Sequence, residues 1–295
     1  MTTSKLDLVI PPREKDLGGF TVSRILPFAS HRMVGPFIFF DHMGPAQFGP
    51  GSGMDVRPHP HIGLATVTYL FEGSIHHRDS LGSDQLIKPG DINWMTAGSG
   101  IVHSERTPDD VREIGGRMNG LQCWVALPEL HEDVAPSFHH YPAKQLPAFK
   151  IGNSAIKLLV GKSLGHTSPV VTHSDLFYLE VQIPKGEKFS FEAEGREAAA
   201  YLVTGNCKVD EEQIAVGSMA VAKPGEDLHI EATEDSCIMI LGGSPVGERF
   251  IFWNFVSSSK EKLDRAKAAW VQGPSVNSPH FRPVPGDSKD YIPLP

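Results

Sequence analysis

Cysteine is scarce in this chain. Among 295 residues only Cys123, Cys207 and Cys237 carry thiols, they stand far apart, and no CxxC pair occurs. An odd, sparse count gives no disulfide framework and fits a reducing compartment. Basic charge is in deficit too: 27 Lys and Arg face 35 Asp and Glu, for a formal net charge of -8. That balance excludes a direct nucleic-acid binder working through a broad basic surface. No apolar run approaches the ~20 residues of a membrane-spanning helix. The opening stretch MTTSKLDLVIPPREKD has no basic segment leading into a long apolar one, so it does not read as a secretory signal. The expectation is a cytoplasmic protein with no membrane partner. Helical periodicity is missing from most of the chain as well.

Turns and short strands fill that gap. The 29 Gly and 24 Pro are spread throughout and favour many strands joined by turns. Residues 20–41 read as strand pieces, 44–58 as a Gly/Pro-rich loop, and LATVTYLFEG (64–73) as a strong strand ending at Gly73. KPGD at 88–91 is a tight turn, and MNGLQCWVALP at 118–128 is another strand. Residues 129–150 hold three prolines and no clean period, which places a connector there. The pattern then resumes with IKLLVG, LFYLEVQIP, AAAYLVTGNCKV and DSCIMILGG. Tyr69–Gly73 corresponds to Tyr201–Gly205, and the Pro89-Gly90-Asp91 turn to Val216-Gly217-Ser218. The chain is therefore expected to be all-β and internally duplicated, with domains 1–140 and 141–295. Only SSSKEKLDRAKAAW (257–270) reads as a helix, with Ser257–Ser259 as caps and Leu263, Ala266 and Trp270 as its apolar stripe. The tail from Gly273 to Pro295 is expected to run extended over the surface or to be partly disordered.

The chemistry concentrates in two short pairs, His59-Pro60-His61 and His103-Ser104-Glu105. On a strand, i and i+2 share a face about 6.5 Å apart. Two such strands brought together aim three imidazoles and one carboxylate at one point. That donor set suits Fe, Ni, Co, Cu, Mn or Zn, and it lacks the thiolates of a structural zinc site. An octahedral ion held by four protein ligands keeps two open positions for water, dioxygen or a bidentate substrate. In the second half the alignment places Phe191 and Ala193 opposite His59 and His61, and Ile230 and Ala232 opposite His103 and Glu105. His229 comes into line only by a slip of one residue and would be a lone ligand. A single metal site in the first copy is expected.

RPHPHIGLATVTYLFEG (57–73) and KPGDINWMTAGSGIVHSER (88–106) closely resemble the two signature stretches of the pirin family, and GPFIFFDHMGP and GLQCWVALP support the likeness. The resemblance covers roughly residues 18–245. It implies two tandem cupin (jelly-roll-like) β-barrels, with metal on His59, His61, His103 and Glu105 of the first and none in the second. The implied metal is Fe(II), with Ni, Co, Mn, Cu or Zn as alternatives. The general cupin carboxylate near Ala65 and Thr66 is absent, and Glu105 replaces it, as in pirins. The implied activity is quercetin 2,3-dioxygenase-type opening of a flavonol with O2, with Glu105 as catalytic base. The alternative is a non-catalytic, iron-binding redox regulator that contacts a protein partner of transcription or metabolism. A sugar isomerase of the cupin type fits the residues less well.

The remaining candidates read as structural. His76 and His77 are adjacent, point to opposite strand faces, and are expected to be surface or loop histidines. His139 and His140 fall in the connector, while His31 and His42 are assigned structural roles. Trp94, Met95, Phe39, Phe40 and Phe71 read as core or pocket wall, and Cys123 as an inert core thiol.

Overall fold

A computed structural model describes residues 4–17 and 20–295. It is mostly β, as the alternating patterns predict, and two α-helices occur among the described residues. The chain makes two compact units: Met1–Glu14, Ser23–Asp41 and Lys144–Pro245 form one, and Lys15–Val22, His42–Ala143 and Val246–Pro295 form the other. The expected boundary at 140 falls near the Ala143 to Lys144 step. The helix and tail, however, belong with the unit that holds residues 42–143 and not with a domain 141–295. The reason is packing: Leu263, Ala266, Trp270, Phe281 and Val284 share one buried cluster with Ile62, Val102 and Phe255. Chain order carries no sign of that partnership.

In the unit containing residues 42–143, a four-stranded antiparallel sheet runs Asp55–His61, Ile101–Arg106, Ile75–Asp79, Asp84–Ile87. A second sheet includes Ser137–Tyr141, Ile92–Thr96, Leu64–Glu72 and Gly116–Ala126 in that order. The two helices are Asp109–Ile114, too short to leave a readable period, and Lys260–Val271. In the longer one Ser259 caps the first turn and the expected Leu263, Ala266 and Trp270 are buried. Beyond it the tail does not run extended over the surface as expected but passes through turns, with Phe281 and Val284 buried in the same cluster as the helix. Ile292 donates its N–H to Pro58 O, and Arg106 makes a two-pronged ion pair with Asp287. No helix among the described residues is long and apolar enough to cross a membrane.

The other unit repeats the strand order. Its small sheet runs Lys188–Phe191, Leu228–Ala232, Cys207–Val209, Glu212–Ile214. Register refines the expected correspondence. His103 pairs with His59 on one side and Asp79 on the other, whereas Ile230 pairs with Phe189 and Val209. With Ile230 opposite His103, the counterparts of His59 and His61 are Phe189 and Phe191, two residues earlier than the sequence alignment placed them. A shift of two keeps the same face, so the pattern could not reveal it. Ala232 then answers Glu105, Cys207 answers His77 and Val209 answers Asp79. All six of these substitutes lie in the apolar core of their unit.

Candidate metal centre

Pleating gives the Asp55–His61 strand one face carrying His59 and His61, and Pro58 and Pro60 fix φ beside them. The antiparallel Ile101–Arg106 strand sets His103 directly opposite His59. A register shift follows, so that Glu105 pairs with Val56. Such an irregularity re-aims the side chains beyond it. On its other edge the same strand sets His103 opposite Asp79 and Glu105 opposite His77. The pairs expected from sequence are thus brought onto neighbouring strands of one sheet.

His59, His61 and His103 are buried, and each offers a ring nitrogen within 4.8 Å of the other two. The Nε2 atoms of His61 and His103 are 3.1 Å apart. The Nδ1 of His59 donates to Arg57 O at 2.8 Å, and that of His61 donates to Asn254 O at 3.1 Å. Carbonyl oxygens only accept, so both rings carry their proton on Nδ1 and turn an Nε2 lone pair inward. Burial is the main reason that all three rings resist protonation. It lowers the pKa of His59 to about 4, and those of His61 and His103 fall well below the ordinary histidine value.

Glu105 also lies beside His103. Its carboxylate, with His77 and His103, forms a second group of donors within 4.8 Å. The structure therefore gathers three of the four expected residues at one point and holds the fourth beside His103. Thr68 donates its hydroxyl to Glu105 Oε1 at 3.2 Å and lies 2.7 Å from Gln122 Oε1. Burial pushes the Glu105 carboxyl above the usual carboxylate range, against the opposing effect of hydrogen bonds from Thr68 and Gln122.

The expectation for His77 needs correcting. His76 does face outward, 2.6 Å from Asp84, but His77 is buried, stacked on Phe138 with ring centres 4.2 Å apart. Adjacent histidines on a strand cannot both reach a site, yet one of them can. The sequence pattern does not single out Thr68, Gln122 and Trp124 either. Trp124 meets His61 edge-on at 5.1 Å. The available signal was a polar side chain inside an otherwise apolar strand, as at Thr66, Thr68 and Gln122. His42 is buried and bonded to Asn119, His140 is bonded to Asn93, and Trp94 is core. Phe40 packs on Tyr201 in the other unit's core.

Neutral imidazoles with inward lone pairs, a carboxylate nearby and no thiolate fit a divalent transition metal. The pirin sequence profile matches residues 19–125, and that of the pirin C-terminal cupin domain matches residues 178–275. The chain belongs to the pirin family. Among pirin relatives, a pirin-like protein of Caulobacter vibrioides is 52% identical over 287 residues, spanning 95% of this chain and 99% of that protein. A crystal structure of quercetin 2,3-dioxygenase from Acinetobacter baumannii superposes with a TM-score of 0.89 at 34% identity, covering 98% of this pirin and 94% of that chain. A second structure of that name from the same organism gives 0.86 at 26% identity, over 92% and 98%.

Proposed function

We propose that this pirin is a metal-dependent dioxygenase that opens a flavonol with O2 and releases carbon monoxide, the quercetin 2,3-dioxygenase type of reaction. The observation that carries the reading is the convergence of three neutral, buried imidazoles beside a buried carboxylate. The likeness to structures of quercetin 2,3-dioxygenase supplies the substrate class. His59, His61, His103 and Glu105 hold the metal, with Fe(II) preferred and Ni, Co, Mn, Cu or Zn able to take the same donors. When bound, the ion supplies Lewis acidity toward a substrate hydroxyl and a route for electrons to dioxygen.

The chain's own residues do the rest. A Glu105 oxygen takes the proton of the flavonol 3-hydroxyl, a task suited to a carboxyl whose basicity burial has raised. Thr68 and Gln122 keep that carboxylate oriented. The buried ring of Trp124, edge-on to His61, helps exclude water from the site.

The test is anaerobic purification with elemental analysis, then O2 uptake and CO release on adding quercetin with Fe(II). Glu105→Gln is expected to abolish turnover while retaining some metal, and turnover by the metal-loaded variant rules out Glu105 as base. A second reading, a non-catalytic redox regulator of a protein partner, draws support from the burial of every ligand, none more than 7% exposed. No O2 uptake and no CO from a fully iron-loaded sample selects that reading.

A further inference from the structure

His103 faces two nitrogens at once, and its proton can satisfy only one of them. Its Nε2 lies 3.1 Å from His61 Nε2, and its Nδ1 lies 3.4 Å from His77 Nδ1. A proton on Nε2 bonds to the His61 lone pair and blocks the centre. A proton on Nδ1 bonds to His77 and leaves three Nε2 lone pairs converging.

We infer that Asp79 and His77 form a positioning relay that fixes the His103 proton on Nδ1 and so keeps the metal centre open. His77 Nε2 lies 3.1 Å from Asp79 Oδ2, and a carboxylate only accepts, so His77 carries its proton on Nε2. In the neutral ring that the relay requires, Nδ1 is then a lone pair, which accepts from His103 Nδ1. Asp79 is itself locked: it is fully buried, and its Oδ1 accepts the backbone N–H of Leu81 at 2.9 Å and of Ser83 at 3.1 Å. The flat stack of His77 on Phe138, 11° from parallel, sets the ring plane. Orientation of a metal-binding histidine by an acceptor on its far nitrogen is a general device. Here a second histidine carries it one step further.

The other unit supports the relay independently. Where the three candidate ligand histidines have become Phe189, Phe191 and Ile230, the positions of His77 and Asp79 have become Cys207 and Val209, all apolar core. The relay and the ligands are absent together.

The inference rests on the metal-centre reading, and two measurements separate them. Asp79→Asn keeps the size of the side chain. To keep accepting from Leu81 and Ser83 the amide must point its oxygen there, which turns its NH2 toward His77 Nε2. His77 must then accept at Nε2 and donate from Nδ1, and the His103 proton moves to Nε2. His77→Phe preserves the stack on Phe138 and removes the relay outright. Expected results are a Co(II) affinity about 10–100-fold weaker in both variants, by chelator competition. In the metal-free protein, 15N NMR of the imidazoles should show His103 protonated on Nδ1 in wild type and on Nε2 in Asp79→Asn. Far-UV circular dichroism confirms that the variants are folded. Wild-type His103 protonated on Nε2, or Asp79→Asn with unchanged tautomer and unchanged Co(II) affinity, overturns the relay. Wild type that takes up no Co(II) overturns the metal centre, and the tautomer measurement on metal-free protein still decides the relay.

Discussion

Burial makes His59 a reporter of acid stability. In the folded, metal-free chain its ring protonates near pH 4, against 6.5 for an ordinary histidine. Between those values the unfolded chain binds a proton that the fold refuses. Stability from this group is therefore complete above pH 6.5 and is lost as pH falls toward 4, at about 1.4 kcal/mol per pH unit for such a ring. His61 and His103 are lowered further and add slope of the same sign. Glu105 is raised, so its contribution runs the other way and declines as pH rises through its folded value. The urea midpoint of metal-free protein is expected to drop steadily from pH 6.5 to 4, and His59→Gln should flatten that drop. Equal slopes in both proteins would show that burial does not hold this ring neutral. At this scale the sequence was informative where spacing alone decides: i, i+2 put His59 with His61 and His103 with Glu105. It was silent on His77, because the pair His76-His77 tells which residues oppose each other but not which face looks inward.

Elements hold these residues through close backbone contacts. Gly63 lies two residues past His61 with φ +69°, and a Cβ there would overlap the Val256 carbonyl. Its N–H donates to Gly98 O, its carbonyl accepts from Leu127, and Ile62 O accepts from Val256. The neighbouring Asn254 supplies the carbonyl that orients His61. Gly63→Ala must push the Phe255–Ser257 strand away, and the strained φ alone costs about 1–3 kcal/mol. The expected outcome is a lower denaturation midpoint together with weaker metal binding. Full metal affinity in a destabilised variant would uncouple that strand from the site. Leu263→Ala, in the buried stripe of the C-terminal helix, is expected to cost about 2–5 kcal/mol in urea unfolding. The helix itself was legible from its cap and stripe. Its partners were not, since nothing in a stripe of Leu263, Ala266 and Trp270 names Ile62 and Val102 as what it covers. The strand register of the second copy was legible to the face but not to the residue.

For the whole molecule, duplication without retention of the candidate ligands predicts stoichiometry. One metal per chain is expected by elemental analysis, and none in His103→Ala, because Phe189, Phe191 and Ile230 fill the corresponding interior of the second barrel. Two ions per chain would contradict the reading of that barrel as an apolar core. The three thiols have a further use. Cys123, Cys207 and Cys237 are all buried, and desolvation raises the Cys207 thiol to about 11 and lifts Cys237 further. Thiolate is the reactive form, so the folded chain should ignore maleimide reagents. A single cysteine introduced at an exposed position such as Val276 would then take a fluorophore or spin label cleanly against the native background. Metal loading of the proposed centre could be followed by that label without any thiol of the protein answering in its place.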